Sequence, residues 1–208
     1  MSEELGKLEK PEAETFKKGR KLYFIPLFYS GKDAPADYIE KLKIYWVQVE
    51  QQINSLESRL GQINKIFHEY IPESGESGLK LIKEMNSESY EVVKNRIEKG
   101  TQFEALENHD LLTEFMDWGS CLAIGLQNQH VVTKVYEFYA DVVKKRNEYI
   151  IKHLDETIKG DEIGMLFMRE GNNLQFPPDM EVFYVSPPAL DDLIRWFREQ
   201  EAKQQTEH

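Results

Sequence analysis

Apolar residues follow two different periods along this chain. The run KLYFIPLFYS (Lys21–Ser30) is almost wholly apolar, rich in aromatics, and ended by Ser30-Gly31. Short continuous runs of this kind are strands buried on both faces, as in parallel sheets. Pro26 removes a ladder donor, which predicts a bulge there or a place near a sheet edge. IGMLFM (Ile163–Met168) and MEVFYV (Met180–Val185) repeat the pattern late in the chain, with the polar loop Arg169–Pro178 between them. INKIFHEYI (Ile63–Ile71), closed by PESGESG, reads as another strand, and TQFEALE (Thr101–Glu107) alternates enough to be one more.

Between these runs the period becomes helical. Ile39, Leu42, Trp46, Val49, Ile53, Leu56, Leu60 and Ile63 stand alternately 3 and 4 residues apart. That is a heptad seam over about four repeats. Pro35 suits the first turn of this helix and Asp33 can help to cap it. A helix lying on a sheet would show a broader stripe, so the seam predicts packing along another long helix, within the chain or across a dimer. From Asn128 to Gly160 the chain runs without a breaker, about 45 Å as a helix. Val132, Val135, Tyr139, Val142 and Tyr149 continue a heptad register there, with Arg146 inside it. Pairing the two long helices is the economical solution.

Shorter helices are predicted near Gly78–Met85 and Ser89–Lys99, after Asn108 as a cap, and over ALDDLIRWFREQ at the end. Strands alternating with helices give an α/β fold of three layers. The sheet is expected to be mostly parallel, with about five strands, and the two long helices to form an αα pair. The organisation predicted is a charged arm over residues 1–20 and one α/β domain over 21–200. That domain carries a helical insertion over about 76–160, and a polar tail follows over 201–208.

Composition then narrows the function. The 208 residues hold 26 Lys+Arg against 37 Asp+Glu, a net charge of −11. With no dense basic run, DNA and broad nucleic-acid binding are not expected, because phosphate neutralisation needs a basic face. The one cysteine, Cys121, excludes an intrachain disulfide and reads as a packing residue on a helix. No stretch approaches the roughly 20 apolar residues of a membrane span, and the N-terminus lacks an apolar signal core. The reading is a cytoplasmic protein with no membrane partner.

In open α/β sheets, ligands bind beyond the carboxyl ends of the strands. Position therefore selects Ser30, Asp33, Glu69, Tyr70, Glu104, Glu107, Arg169, Glu170, Asn172 and Ser186. The five histidines, His68, His109, His130, His153 and His208, make no HxH or HExxH spacing, so no metal site is expected. There is no Walker loop, no GxGxxG after the first strand and no GxSxG elbow, and no cofactor is implied. PESGESGLK places two glycines before a helix, but its glutamates would repel a phosphate, so it reads as a tight turn. Arg146 falls in an apolar seam with Asn147 beside it. A buried Arg needs a carboxylate, and Glu50 or Glu57 of the first long helix is the expected partner; substrate binding is the alternative.

The segments KLYFIPLFYS, GTQFEALENHDLL and KKRNEYIIKHLDETIKGDEIGMLFMREGNNLQFPPDMEVFYV are similar to an uncharacterised prokaryotic family. That family distantly resembles the TraB/TIKI and ChaN-like α/β superfamily. The shared outline is an early strand, an Arg-Asn pair in a long helix (here Arg146-Asn147) and a glycine-containing strand end. The resemblance implies a metal-dependent hydrolase with a histidine after the first strand and another after a late strand. The matching positions here are Tyr29 or Ser30, and Gly171 or Asn172, while Glu104 or Glu107 matches an acidic position.

With those histidines replaced, the leading expectation is a non-catalytic α/β protein that binds a protein partner or small ligand, as a homodimer through its long helices. One alternative is a hydrolase of the TraB/ChaN-like type that uses Glu and Asp ligands with Arg146. A third, by fold analogy, is a translation-associated factor. The loop Arg169–Pro178 reads as a shaped turn with at most a binding role.

Overall fold

The computed structural model describes residues 18–206, with side chains to Lys203. The charged arm expected over residues 1–20 therefore lies, but for its last three residues, outside the described ones. The apolar runs form five strands: β1 (Arg20–Pro26), β2 (Lys65–His68), β3 (Gln102–Phe103), β4 (Ile163–Met168) and β5 (Met180–Tyr184). Six helices connect and flank them: α1 (Ala36–Leu60), α2 (Gly75–Met85), α3 (Ser87–Ile97), α4 (His109–Ala123), α5 (Gln129–Thr157) and α6 (Pro188–Thr206). The expected polar tail continues α6 as far as Thr206.

All pairings are parallel, in the order β3-β2-β4-β1-β5, so the expected three-layer α/β fold is present. β4 is buried along its whole length, as its continuous apolar run requires. Pro26 does not bulge β1, which lies near the sheet edge, one strand in from β5. β1 lies inside the sheet, and Pro26 is its last residue. Leu27 N–H donates to Met168 across the β4 side, whereas Phe24 C=O accepts from Val185 on the β5 side. The donor that Pro26 lacks would have faced β5, where pairing has already ended at Phe24 and Tyr184.

The two long helices do not pair with each other. Each lies on its own face of the sheet. One face is covered by α1, α2, α3 and α6, whose Trp46, Val49, Ile53, Ile82, Val93 and Leu193 share a core with Tyr23, Ile25, Met165 and Phe167. The opposite face is covered by α5, where Ile150, Leu154 and Ile158 meet Leu22, Phe67 and Leu166. The α1 seam is wider than its aliphatic residues suggest, because Tyr38 and Tyr45 are also buried. Their hydroxyls donate to Tyr29 C=O (2.9 Å) and Pro26 C=O (2.5 Å), so two polar-tipped residues complete a sheet-facing stripe. The register of α5 is used in its first half by α4: Tyr139 stacks on Phe115 and Phe138 on Trp118.

Crossover direction sets the functional rim. The connections after β1 and β2 run through helices on the first face. Those after β3 and β4 run over the second, where Leu174 and Phe176 of the β4–β5 loop join the α5 core. The chain therefore leaves adjacent strands β2 and β4 toward opposite faces, which opens a crevice at their carboxyl ends.

Candidate functional site

Four charged residues meet in that crevice. Glu69 follows β2 directly, its N–H still bonded to Phe167 of β4. Glu107 arrives from the turn after β3, Arg146 from the middle of α5, and Arg169 from the end of β4. Glu69, Glu107 and Arg146 are 0%, 3% and 2% exposed. Arg146 donates from Nε to Glu107 Oε2 (2.9 Å) and from Nη2 to Glu107 Oε1, and Nη2 lies 3.5 Å from Glu69 Oε1. Glu69 also accepts from Arg169, at its backbone N–H (3.0 Å), Nε (3.2 Å) and Nη2 (3.4 Å). Two carboxylates and two guanidinium groups leave the cluster neutral, which is what burial demands. Burial alone would lower the Arg146 pKa, but the hydrogen bonds and charges of Glu107 and Glu69 outweigh it and the value is raised.

Aromatic rings wrap this cluster. Tyr29, Tyr70, Phe115 and Tyr139 stack in sequence at 6.3, 6.2 and 5.4 Å between centroids. The Arg146 guanidinium sits 4.8 Å from the Phe115 centroid and 5.4 Å from that of Tyr70; Arg169 sits 4.8 Å from Tyr70. Tyr70 itself has φ +68°, a left-handed conformation that costs a side-chain-bearing residue about 1–2 kcal/mol. Its N–H donates to Glu107 Oε1 (3.0 Å), so the buried carboxylate holds the backbone in this state.

The same cluster fixes the loop after β4. Arg169 is tied through its N–H, and Asn172 Nδ2 donates back to the Arg169 carbonyl. Asn147 Nδ2, one residue from Arg146, donates to Asn172 C=O (3.0 Å). Gly171 (φ +87°) and Asn173 (φ +42°) let the chain double back. Under the loop lies a pocket of about 340 Å³ lined by Phe24, Phe176, Tyr184, Leu174 and Glu170. Asn173 and Leu174 also line a groove of about 730 Å³ between the loop and α5, beside Val143, Asn147 and Ile151. Two buried polar atoms near the cluster have no hydrogen-bond partner among the described residues, the Tyr29 hydroxyl and Asn147 Oδ1. Burial pushes the Tyr29 phenol up, so it stays a neutral donor.

Of the twelve residues selected by sequence, seven thus converge: Glu69, Tyr70, Glu107, Arg146, Asn147, Arg169 and Asn172, while Ser186 is exposed after β5. Glu170 borders the rim pocket and makes no ion pair among the described residues. Ser30 and Asp33 are exposed and make no hydrogen bond among the described residues, and α1 has no side-chain cap there. Glu104 turns toward a separate cleft at the start of α2, beside Ser74 and Phe103. The expected partners of Arg146 are also different. Glu50 and Glu57 pair instead with the fully buried Arg96, at 2.5 and 3.3 Å, because α1 and α5 occupy opposite faces. Sequence reasoning missed Arg96, and it missed the ring stack, since Tyr29, Tyr70 and Phe115 come from three distant segments with no shared spacing.

His68, adjacent to Glu69, points to the other face. Its Nδ1 donates to Glu69 C=O (2.8 Å), its Nε2 meets Ser89 Oγ (3.0 Å), and burial pulls its pKa down to about 4. It is a neutral core histidine. Among the described residues no group of three or more His, Cys, Asp or Glu is placed to hold a metal ion. The two carboxylates at the rim are already engaged by guanidinium groups, which a cation would have to displace.

Replacing Arg146 tests the cluster. Arg146→Met leaves Glu107 buried without its cation and is expected to cost about 3–5 kcal/mol in urea unfolding. Adding Glu107→Gln to that variant should restore about 1 kcal/mol or more, since the two residues are coupled. A single variant within about 1 kcal/mol of wild type, or additive costs, would show that the cluster does not hold the rim. No family model matches the chain, and no curated protein and no solved structure matches it significantly.

Proposed function

We propose that the chain is a non-catalytic ligand-binding α/β protein whose ligand docks at the carboxyl rim of the sheet, under the β4–β5 loop. The observation that carries this reading is the pocket of about 340 Å³ beneath a loop pinned by Glu69, Arg169 and Asn147. That volume lies at the small end of ligand sites. What favours binding over catalysis is the state of the titratable groups. Glu69 and Glu107 are neutralised by Arg146 and Arg169, and His68 is buried and bonded at both nitrogens. Among the described residues the one rim carboxylate outside these pairs, Glu170, has no Ser, Cys or His beside it in the pocket lining, whereas acyl or phosphoryl hydrolysis needs a base beside a nucleophile.

Thermal unfolding over a panel of carboxylates, phosphates, nucleosides, organic ammonium compounds and divalent cations tests it. One organic class should raise the Tm, with about 2.7 kcal/mol gained at a concentration of 100 Kd, and Tyr184→Ala should abolish the shift. Stabilisation by divalent cations alone would instead favour the hydrolase alternative, and a panel without effect would remove the binding role.

A second reading rests on the arm formed by α4 and the first half of α5. From Thr113 to Lys134 no residue is buried, and Met116, Ile124, Val131, Tyr136 and Phe138 are exposed along it. Two helices alone cannot enclose such residues, and a second copy of the arm would complete a four-helix bundle. Sedimentation of wild type and of the double variant Ile124→Glu/Val131→Glu should give a dimer and a monomer. A wild-type monomer at all concentrations would end this reading.

A further inference from the structure

We infer that the rim pocket takes an organic ammonium group, the head of a methylated or alkylated amine, held by aromatic rings and the Glu170 carboxylate. This deepens the reading above and rests on it. Phe24, Phe176 and Tyr184 all line the pocket. Phe24 is 6.4 Å from Phe176 with the ring planes crossed at 70°, and 5.0 Å from Tyr184 at 40°. The rings are thus inclined to one another rather than stacked flat, and they present walls at different angles to one small space. Phe24 and Tyr184 are register partners on neighbouring strands, and Phe176 is brought over them by the β4–β5 loop.

Such a wall attracts cations, because the face of each ring is negative. The polar lining points the same way. Among the described residues, Glu170 stands at the pocket without an ion pair, and no Lys, Arg or His lines it. Arg169, next in the chain, is turned to Glu69 and the Tyr70 ring, so its charge is spent outside the pocket. Gly171 borders the pocket and has open space where a side chain would stand. The net charge of −11 draws cations to the molecule as a whole. An anion would meet an unpaired carboxylate and aromatic rings, and a divalent metal would find one carboxylate, with only the amide oxygens of Asn172 and Asn173 beside it among the side chains. A large, weakly hydrated cation fits because the rings replace the little water it holds.

Tyr184 is 57% exposed, so it can be replaced without disturbing the core. Titration by NMR with choline, and with its neutral isostere 3,3-dimethylbutan-1-ol, separates charge from shape. Choline should bind about tenfold or more tightly than the alcohol, with shifts at Tyr184, Glu170 and Gly171. Tyr184→Leu keeps the apolar surface and removes the ring face, and Glu170→Gln keeps the shape and removes the charge. Each should weaken choline several-fold and leave the alcohol unchanged. Equal binding of choline and the alcohol, or no choline shifts at these residues, overturns the inference. If carboxylates or phosphates shift the same residues, the rim still binds a ligand and only the cation is wrong. If no class in the panel binds there, both readings fall together.

Discussion

A guanidinium group with almost no access to water must find carboxylates, and Arg146 finds two that come from different segments. That single requirement ties α5 to the turn after β3 and to the end of β2. It extends through Glu69 to the end of β4, where Arg169 is bound through both its side chain and its backbone. Breaking any member leaves a buried charge without compensation, which costs more than the intact pair contributes. The cluster therefore acts less as a source of stability than as a device that admits one arrangement of the strand ends. The left-handed Tyr70 is held by the same carboxylate that holds Arg146, so backbone and side-chain order are coupled.

What this order produces is a shaped loop. Doubly wound sheets open a crevice where neighbouring strands send the chain to opposite faces, and here that happens between β2 and β4. The charged cluster fills the bottom of the crevice. Beyond it the loop after β4 is carried over the second face, where Leu174 and Phe176 anchor it in the α5 core. The space left under the loop is lined by Phe24, Phe176 and Tyr184 and has at its border Glu170, an acid without an ion pair among the described residues. Fold, ion cluster and pocket are successive consequences of one topology, which is why a neutral buried network and an acidic rim coexist a few residues apart.

The layers were legible in the sequence because apolar period is a local signal. Continuous runs at β1, β4 and β5 and the breaker-free stretch of α5 announced themselves, and Asn108, readable as a cap, does cap its helix through a side-chain hydrogen bond. Which helix lies against which was not legible. The aliphatic seam of α1 resembled a coiled coil because Tyr38 and Tyr45 were not counted as core, although a bonded hydroxyl lets a tyrosine be buried. That error also misassigned the partners of Arg146, since Glu50 and Glu57 belong to the helix on the other face. The need for a carboxylate was readable from one residue; its identity depends on contacts with Glu107, 39 residues away, and with Glu69, farther still along the chain. The rim residues were found from strand ends alone, so Glu69, Arg169 and Asn172 were reached while Ser30 and Asp33, equally well placed in sequence, contribute nothing to the cluster.

Native-state hydrogen exchange at the Tyr70 and Arg169 amides probes the ion cluster most directly. Both amides lie in segments that have left the sheet, and both donate to buried carboxylates. If the cluster orders the rim, they exchange only through global unfolding, as slowly as the amides of β4. Exchange at the rate of the exposed loop residues around Asn173 would show that the carboxylates do not grip the backbone, and the account of the rim would be wrong.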